Sequence, residues 1–422
     1  MNKNIQPPVW HPFTQHGLER DMVEIAAADG AWLTASDGRR IFDAISSWWV
    51  VTHGHRHPQI IAAIQAQAQK LDQVIFAGFT HEPAESVARE LVRIAPPGLE
   101  HVFFSDSGST AVEVALKMAL GYWRNLGKKR TRILALEHAY HGDTVGTMSA
   151  GARGVFNASY QPLLFDVERI PFPAAGHDDR TYAALKTACE RGDAAAFICE
   201  PLILGAGGML MYDATVLNHM HRICKEHGVL FIADEVMTGF GRTGTPFACD
   251  QAAIGPDLLC LAKGLTGGSI PLAVTLATRA IFNAHCSNDR SQMLFHSSSY
   301  TANPLACAAA AANLEIWRDE PVIARVTALA QLQSHHAARL RQDRRYKNVR
   351  SCGTILAFDI ARSEDGYLAD VALQIRQACL KRGVLVRPLG PTIYTMPPYC
   401  TTAAELDHVY DVISQAAGEV CA

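Results

Sequence analysis

No run in this 422-residue chain approaches the roughly 18 consecutive apolar residues needed to cross a bilayer, so no membrane partner is expected. An excess of charge is missing too. Lys plus Arg number 38 and Asp plus Glu 41, a net charge of −3, too balanced for a protein that lives on phosphate backbones; nucleic acid is not an expected partner. Cysteine is present without pairing. Of eleven, the closest two, Cys189 and Cys199, are ten positions apart, and CxxC does not occur. That argues against a zinc ribbon or a disulfide scaffold and for buried free thiols. The opening stretch MNKNIQPPVWHPF lacks the basic segment and apolar stretch that secretion requires, from which a cytoplasmic location is expected. Internal repeats and low-complexity linkers are absent as well.

Apolar residues make up 49% and charged residues 19%, a composition that suits a globular enzyme with a large core. At roughly 150 residues per domain the length allows two or three domains. From residue 101 to 277 short apolar runs recur: HVFFSD, RILALE, AAFICEP, VLFIADEV, LLCLAKG and PLAVTLAT. Helical patterns lie between several of them, as at Val112, Leu116, Ala119 and Trp123, and from Thr215 to His227. Strands buried on both faces and alternating with helices argue for an α/β fold with a parallel sheet. A second unit follows, with an amphipathic helix near Val322 to Leu340, a turn around Ser351 to Gly353 and a terminal helix. The basic run Arg339 to Arg350 reads as a solvated helix end.

Five runs end in polar residues: Ser105 to Ser109, Glu137 to Asp143, Glu200, Asp234 with Glu235, and Lys263. Ligands of open α/β sheets bind beyond the carboxyl ends of strands, so these endings converge on one cleft. Asp234 leaves an apolar strand and needs a cationic or proton-donating partner, for which a protonated pyridine nitrogen would serve; a turn-capping or Arg-paired Asp is the plain alternative. Lys263 sits at another strand end, where desolvation lowers an amine's pKa and favours Schiff-base chemistry, unless it merely snorkels. Ser107, Gly108 and Ser109 lead into a helix and form either a phosphate cup or an ordinary N-cap. GFGRTG, Gly239 to Gly244, matches a dinucleotide fingerprint only formally, because no apolar helix and no ribose-binding acid follow; it reads as a glycine turn. His53, His55 and His57 alternate and His138 and His141 stand three apart. Neither set has HExxH spacing or a nearby Cys pair, so no metal site is expected. Cup, carboxylate and lysine together describe a pyridoxal phosphate site.

FIADEVMTGFGRTG and LAKGLTGG, with SDSGSTAVEVALKMA and AYHGDT upstream, resemble the class III aminotransferases of the fold-type I pyridoxal phosphate superfamily, over nearly the whole chain. WHPFTQ, SSWW, GFTHEPA and RPLGPTIYTMPPY are similar to the branch that aminates 8-amino-7-oxononanoate in biotin synthesis. The resemblance implies a large, mostly parallel sheet domain with helices on both faces, residues 51–318, and a smaller α+β domain, 319–422. Residues 1–50 would contribute to the small domain and the substrate channel. It implies that Lys263 is the Schiff-base lysine and proton shuttle, that Asp234 keeps the pyridine nitrogen protonated, and that Tyr140 flanks ring and substrate. Gly108 and Ser109 would hold the phosphate, joined by Ser298 and Ser299 of the second subunit of an obligate homodimer. Phe13, Trp48, Tyr140, Ser297, Arg387 and Tyr394 would meet the substrate, with Arg387 on a carboxylate. A small-molecule amino donor, S-adenosylmethionine or lysine, and a keto acceptor would take turns in one site. Phe13 stands where the family commonly has Tyr, whose hydroxyl helps select the oxononanoate, and Ser298–Ser299 where Pro-Thr is common. Three rival readings remain: a class III aminotransferase for another ω-amino acid, polyamine or diamine, a nicotinamide oxidoreductase using GFGRTG, and a non-catalytic binding paralogue, which the intact Asp234 and Lys263 oppose.

Overall fold

The computed structural model describes residues 8–18, 22–361 and 370–421; residues 1–7 of the stretch read for a targeting signal lie outside them. The chain opens with three short antiparallel strands, β1 (Ile25–Asp29), β2 (Trp32–Ala35) and β3 (Arg40–Asp43). The recurring apolar runs then form strands in turn: β4 (Leu99–Ser105), β5 (Arg132–Leu136), β6 (Glu168–Ile170) and β7 (Ala194–Cys199). A two-stranded ribbon, β8 (Ile203–Leu204) and β9 (Leu210–Met211), precedes β10 (Leu230–Asp234), β11 (Leu258–Leu261) and β12 (Ala273–Thr278). Last come β13 (Tyr346–Cys352), β14 (Ile355–Ile360), β15 (Val384–Leu385) and β16 (Thr392–Thr395).

The large sheet has seven strands in the order β4-β12-β11-β10-β7-β5-β6. Neighbours from β11 to β6 pair in parallel, whereas β12 runs antiparallel to both β11 and β4. The expected parallel sheet therefore contains one reversed strand. An apolar run buried on both faces looks the same whichever way it points, so the reversal carries no sequence signal. The carboxyl ends of β4, β5, β7, β10 and β11 still share one edge.

The helix Gly108–Asn125 covers one face of this sheet. Ala111, Val112, Ala115, Ala119 and Trp123 are buried along it, and Trp123 Nε1 donates to Ala195 O at 2.8 Å. A capping box starts it: Thr110 N donates to Ser107 Oγ at 3.2 Å and Ser107 N to Thr110 Oγ1 at 2.9 Å, an arrangement worth about 1 kcal/mol.

A second core forms around the helix Val322–Leu340, the antiparallel sheet β13-β14-β16 and the terminal helix Ala403–Cys421. The opening strands join it, because β15 pairs in parallel with β3, with Val384 opposite Phe42 and both fully buried.

Two expectations need correcting. The basic run is not simply a solvated helix end: the helix stops at Leu340, Arg345 Nη1 donates to Ser414 O at 2.7 Å, and Arg350 donates to Met209 O and Gly208 O and pairs with Asp359. Arg350 thus satisfies the turn carbonyls of Gly208 and Met209, and Arg345 ties this segment to the terminal helix. Nor are all thiols buried. Cys286 and Cys400 are exposed and Cys352 is half-buried, since they fall in loops or at a hairpin end; the side chain of Cys421 lies outside the described residues.

Candidate active site

The shared edge of strand ends opens into a cavity of about 600 Å³. Gly108, Ser109, Tyr140, Asp234 and Lys263 line it, and so do Phe13, Trp48, Arg387 and Tyr394. Ser297, Ser298 and Ser299 do not. Ser298 Oγ instead donates to Asp106 Oδ2 at 2.7 Å, and the Ser299 carbonyl accepts from Gln73 Nε2 at 2.8 Å.

Asp234 ends β10, where the buried strand delivers its carboxylate to the cavity at 5% exposure. Its Oδ2 lies 2.6 Å from His141 Nδ1, and its Oδ1 accepts Val236 N–H at 3.2 Å. A carboxylate facing Nδ1 fixes the proton on that nitrogen. The other ring nitrogen of His141 is buried without a hydrogen-bond partner among the described residues. In the sequence His141 stands out only by its spacing to His138; its contact with Asp234 is a three-dimensional signal.

Lys263 follows β11 with φ 47°, a left-handed backbone that non-glycine residues rarely adopt. Burial pushes its pKa down to about 8, with Arg242 acting in the same direction and Asp234 and Glu200 opposing. The ammonium lies 4.9 Å from the centroid of the Trp49 ring. The snorkelling alternative fails on this geometry, because the side chain lines the cavity instead of reaching past it.

The N-cap reading of Ser107 is what the structure shows, and the phosphate-cup reading is compatible with it, since Gly108 and Ser109 line the cavity. The cradle depends on absent side chains. A Cβ on Gly108 would come 2.6 Å from Val236 Cγ1, and one on Gly142, at φ 128°, would come 2.0 Å from Ser109 Oγ. The N-terminus of an 18-residue helix, free of bulk on this side, suits a phosphate dianion. Val236 and Tyr140 border the space between cup and lysine, which suits a flat aromatic ring. These residues fit pyridoxal phosphate: a helix terminus for the phosphate, a buried carboxylate for the ring nitrogen and a low-pKa amine for the aldehyde carbon.

Glu200, at the end of β7, also faces the cavity. It accepts Tyr140 N–H and Gly205 N–H, each at 2.9 Å, and burial raises its pKa to about 7, with His141 opposing and Asp234 reinforcing. Burial and the neighbouring Asp143 push the Tyr140 phenol far above its ordinary range.

The outer wall is aromatic. Phe13 packs on Trp48 at 5.7 Å and on Phe156 at 5.9 Å, and Arg387 lies over the Trp48 ring at 4.6 Å. Arg387 forms no ion pair among the described residues, which removes the surface-pair alternative. Trp49 is core, at 5% exposure, and donates to Tyr394 Oη at 2.7 Å, whereas Trp48 is 41% exposed. Ser46, Ser47 and Trp49 all have positive φ, and the fully buried Asp43 carboxylate holds this stretch by accepting Ser47 N–H at 2.6 Å.

GFGRTG is a buried turn after β10 with no helix opening on it, which leaves the nicotinamide reading without its phosphate site. Its Arg242, missed in the sequence, is 1% exposed and donates to Trp49 O, Val51 O and Pro397 O. Of the alternating histidines, His53 meets Asn313, His55 meets Asp43, and His57 lies 3.5 Å from Glu320.

Residues 14–417 match the family model described as aminotransferase class-III. The adenosylmethionine-8-amino-7-oxononanoate aminotransferase of Synechococcus elongatus is 49% identical over 98% of this chain and 99% of its own. A crystal structure of the enzyme of that name from Methanocaldococcus jannaschii superposes with a TM-score of 0.94 at 34% identity, covering 98% of this chain and 97% of the other. An amine transaminase from an uncultivated Pseudomonas species, solved with pyridoxal phosphate bound, gives 0.92 at 33% identity, covering 99% and 100%. Fold and cofactor agree with the cavity, and the chain belongs to the class-III aminotransferases, pyridoxal phosphate enzymes of fold-type I.

Proposed function

We propose that this aminotransferase converts 8-amino-7-oxononanoate to 7,8-diaminononanoate, with S-adenosyl-L-methionine as amino donor. The observation that carries the reading is the end-to-end similarity to enzymes named for that reaction, at 49% identity in one of them. Arg387, without an ionic partner among the described residues and stacked on Trp48, supports it as a fork for the acceptor's carboxylate.

When bound, the cofactor supplies an aldehyde carbon that carries the amino group and a ring that takes up the electron pair of the donor's Cα–H bond. Asp234, held by His141, keeps a proton on the ring nitrogen. Gly108 and Ser109 bind the phosphate at the helix N-terminus. Lys263 Nζ, its pKa lowered to about 8 by burial, would take the proton from the donor carbon and pass it to the cofactor's aldehyde carbon. Tyr140 and Trp48 orient the substrate and exclude water. Donor and acceptor exchange an amino group for a carbonyl oxygen, so no external oxidant enters.

A homodimer completes this reading, with Ser297 reaching the substrate and Ser298 and Ser299 the phosphate of the partner's site. Large apolar side chains left exposed around that segment support it: Met293, Phe295 and Tyr300, with Ile75 and Phe79. The domain division at residues 50 and 318 belongs to the same proposal, supported by the second core that gathers β3 and β15. So does a cytoplasmic location, supported by free cysteines and the absence, among the described residues, of any helix long and apolar enough to cross a membrane.

The test is to bring the enzyme to its pyridoxamine form, add 8-amino-7-oxononanoate and follow the cofactor's visible absorbance. Rapid return supports the acceptor. Phe13, which carries no hydroxyl, and the similarity to an amine transaminase favour one second reading, a class III aminotransferase for another ω-amino acid, polyamine or diamine. Fast return with simple aldehydes or keto acids, and none with the oxononanoate, would establish that reading instead.

A further inference from the structure

The turn that carries Lys263 is gripped from outside the cavity. Asn313, fully buried on the helix Pro304–Asp319, donates through Nδ2 to Gly264 O and to Leu265 O, each at 3.0 Å. These are the carbonyls of the two residues that follow the lysine. The remaining amide atom, Oδ1, faces His53 Nε2 at 3.0 Å. Two carbonyls on one side fix which end of the amide is nitrogen, and an acceptor on the other side then requires the proton on His53 Nε2. His53 is 7% exposed, and burial drives its pKa down to about 4, so the imidazole stays neutral at working pH. The turn has no slack: a Cβ on Gly267, at φ 63°, would lie 2.6 Å from Ile60 Cδ1 and 3.2 Å from Asn313 Oδ1.

We propose that Asn313, oriented by His53, is a positioning residue for Lys263: by tying down the two carbonyls after the lysine it holds the left-handed backbone from which Nζ enters the cavity. A side chain that merely filled this space would need no donors. Here both amide hydrogens meet main-chain oxygens, and the third partner is a histidine whose tautomer the pairing dictates. The inference rests on the lysine chemistry of the family and not on the identity of the acceptor.

The test uses holoenzyme carrying Asn313→Leu, which keeps the volume and removes both donors. Its readouts are the pH midpoint of the cofactor's visible absorbance, which reports the proton shared with Lys263 Nζ, and the rate at which an amine donor discharges that absorbance. A folded Asn313→Leu enzyme with its midpoint moved by about 0.5 pH unit or more and discharge slowed about tenfold is the expected result. A variant that melts earlier yet titrates and reacts as the parent does overturns the proposal. If Asn313→Leu does not fold, the pair His53→Gln and His53→Leu decides. Gln keeps a donor for Asn313 Oδ1 and should behave like the parent, while Leu should shift; identical behaviour of the two overturns the proposal. Failure of the acceptor reading would leave all these readouts intact in the parent enzyme, so the two failures are distinguishable.

Discussion

His141 Nδ1 and Asp234 Oδ2 stand 2.6 Å apart, and through that contact the imidazole fixes the carboxylate assigned to the ring nitrogen. Hydrogen bonds to a charged group contribute about 1.5–3 kcal/mol. His141→Leu is expected to slow the donor half-reaction about 10- to 100-fold while the fold is kept. Stopped-flow absorbance with the amino donor checks this, and a parent-like rate would remove His141 from the mechanism.

The lowered pKa of Lys263 sets a pH window. Above about 8 the amine is neutral, so the rate at which apoenzyme captures the cofactor should rise between pH 7 and 9 and then level off. The same shift links to stability. The unfolded chain binds a proton here that the folded chain has lost, so this lysine makes the apoprotein more stable as pH rises from about 8 toward the ordinary lysine value. Lys263→Ala should abolish turnover and remove that slope from apoprotein melting temperatures.

In the proposed reading, Phe13 and Arg387, both beside Trp48, divide acceptor recognition between them. Phe13→Tyr adds a hydroxyl beside Trp48, and one new hydrogen bond of about 1 kcal/mol should lower KM for the oxononanoate about fivefold. Arg387→Ala should raise that KM about 10-fold or more and leave uncharged aldehyde acceptors nearly unaffected. Steady-state kinetics with both acceptor types measure the two effects.

The proposed sharing of sites between subunits makes a prediction about mixtures. Ser299→Asp places a negative charge where the proposed dimer binds a phosphate, and Lys263→Ala removes the lysine. Refolding the two inactive proteins together should restore about a quarter of parental activity, from mixed dimers with one native site. No recovery, with mixed dimers verified by mass, would place Ser299 outside the partner's site.

Much of the frame was legible. β7 and β11 are apolar throughout and β10 is apolar up to its last residue, and the polar residues that close these runs, Glu200, Asp234 and Lys263, line the cavity. Strand direction was not legible, because burial on both faces gives β12 the pattern of a parallel strand. Roles created by folding were also hidden. Asp43 looks like any acid after a strand until Ser47 and His55 converge on it. Arg242 sits in a motif whose glycines drew the attention, and its carbonyl partners lie at residues 49, 51 and 397, which no local window contains.

Arg242 also bears on the order in which the enzyme comes into being. Its guanidinium gathers carbonyls from Trp49 and Val51 near the start of the chain and from Pro397 near its end, and Trp49 in turn leans on Tyr394. During synthesis the lysine strand and the phosphate cup leave the ribosome well before those final partners do. Arg387 and Tyr394, which line the cavity beside Trp48 and Trp49, are therefore made after every residue proposed to hold the cofactor.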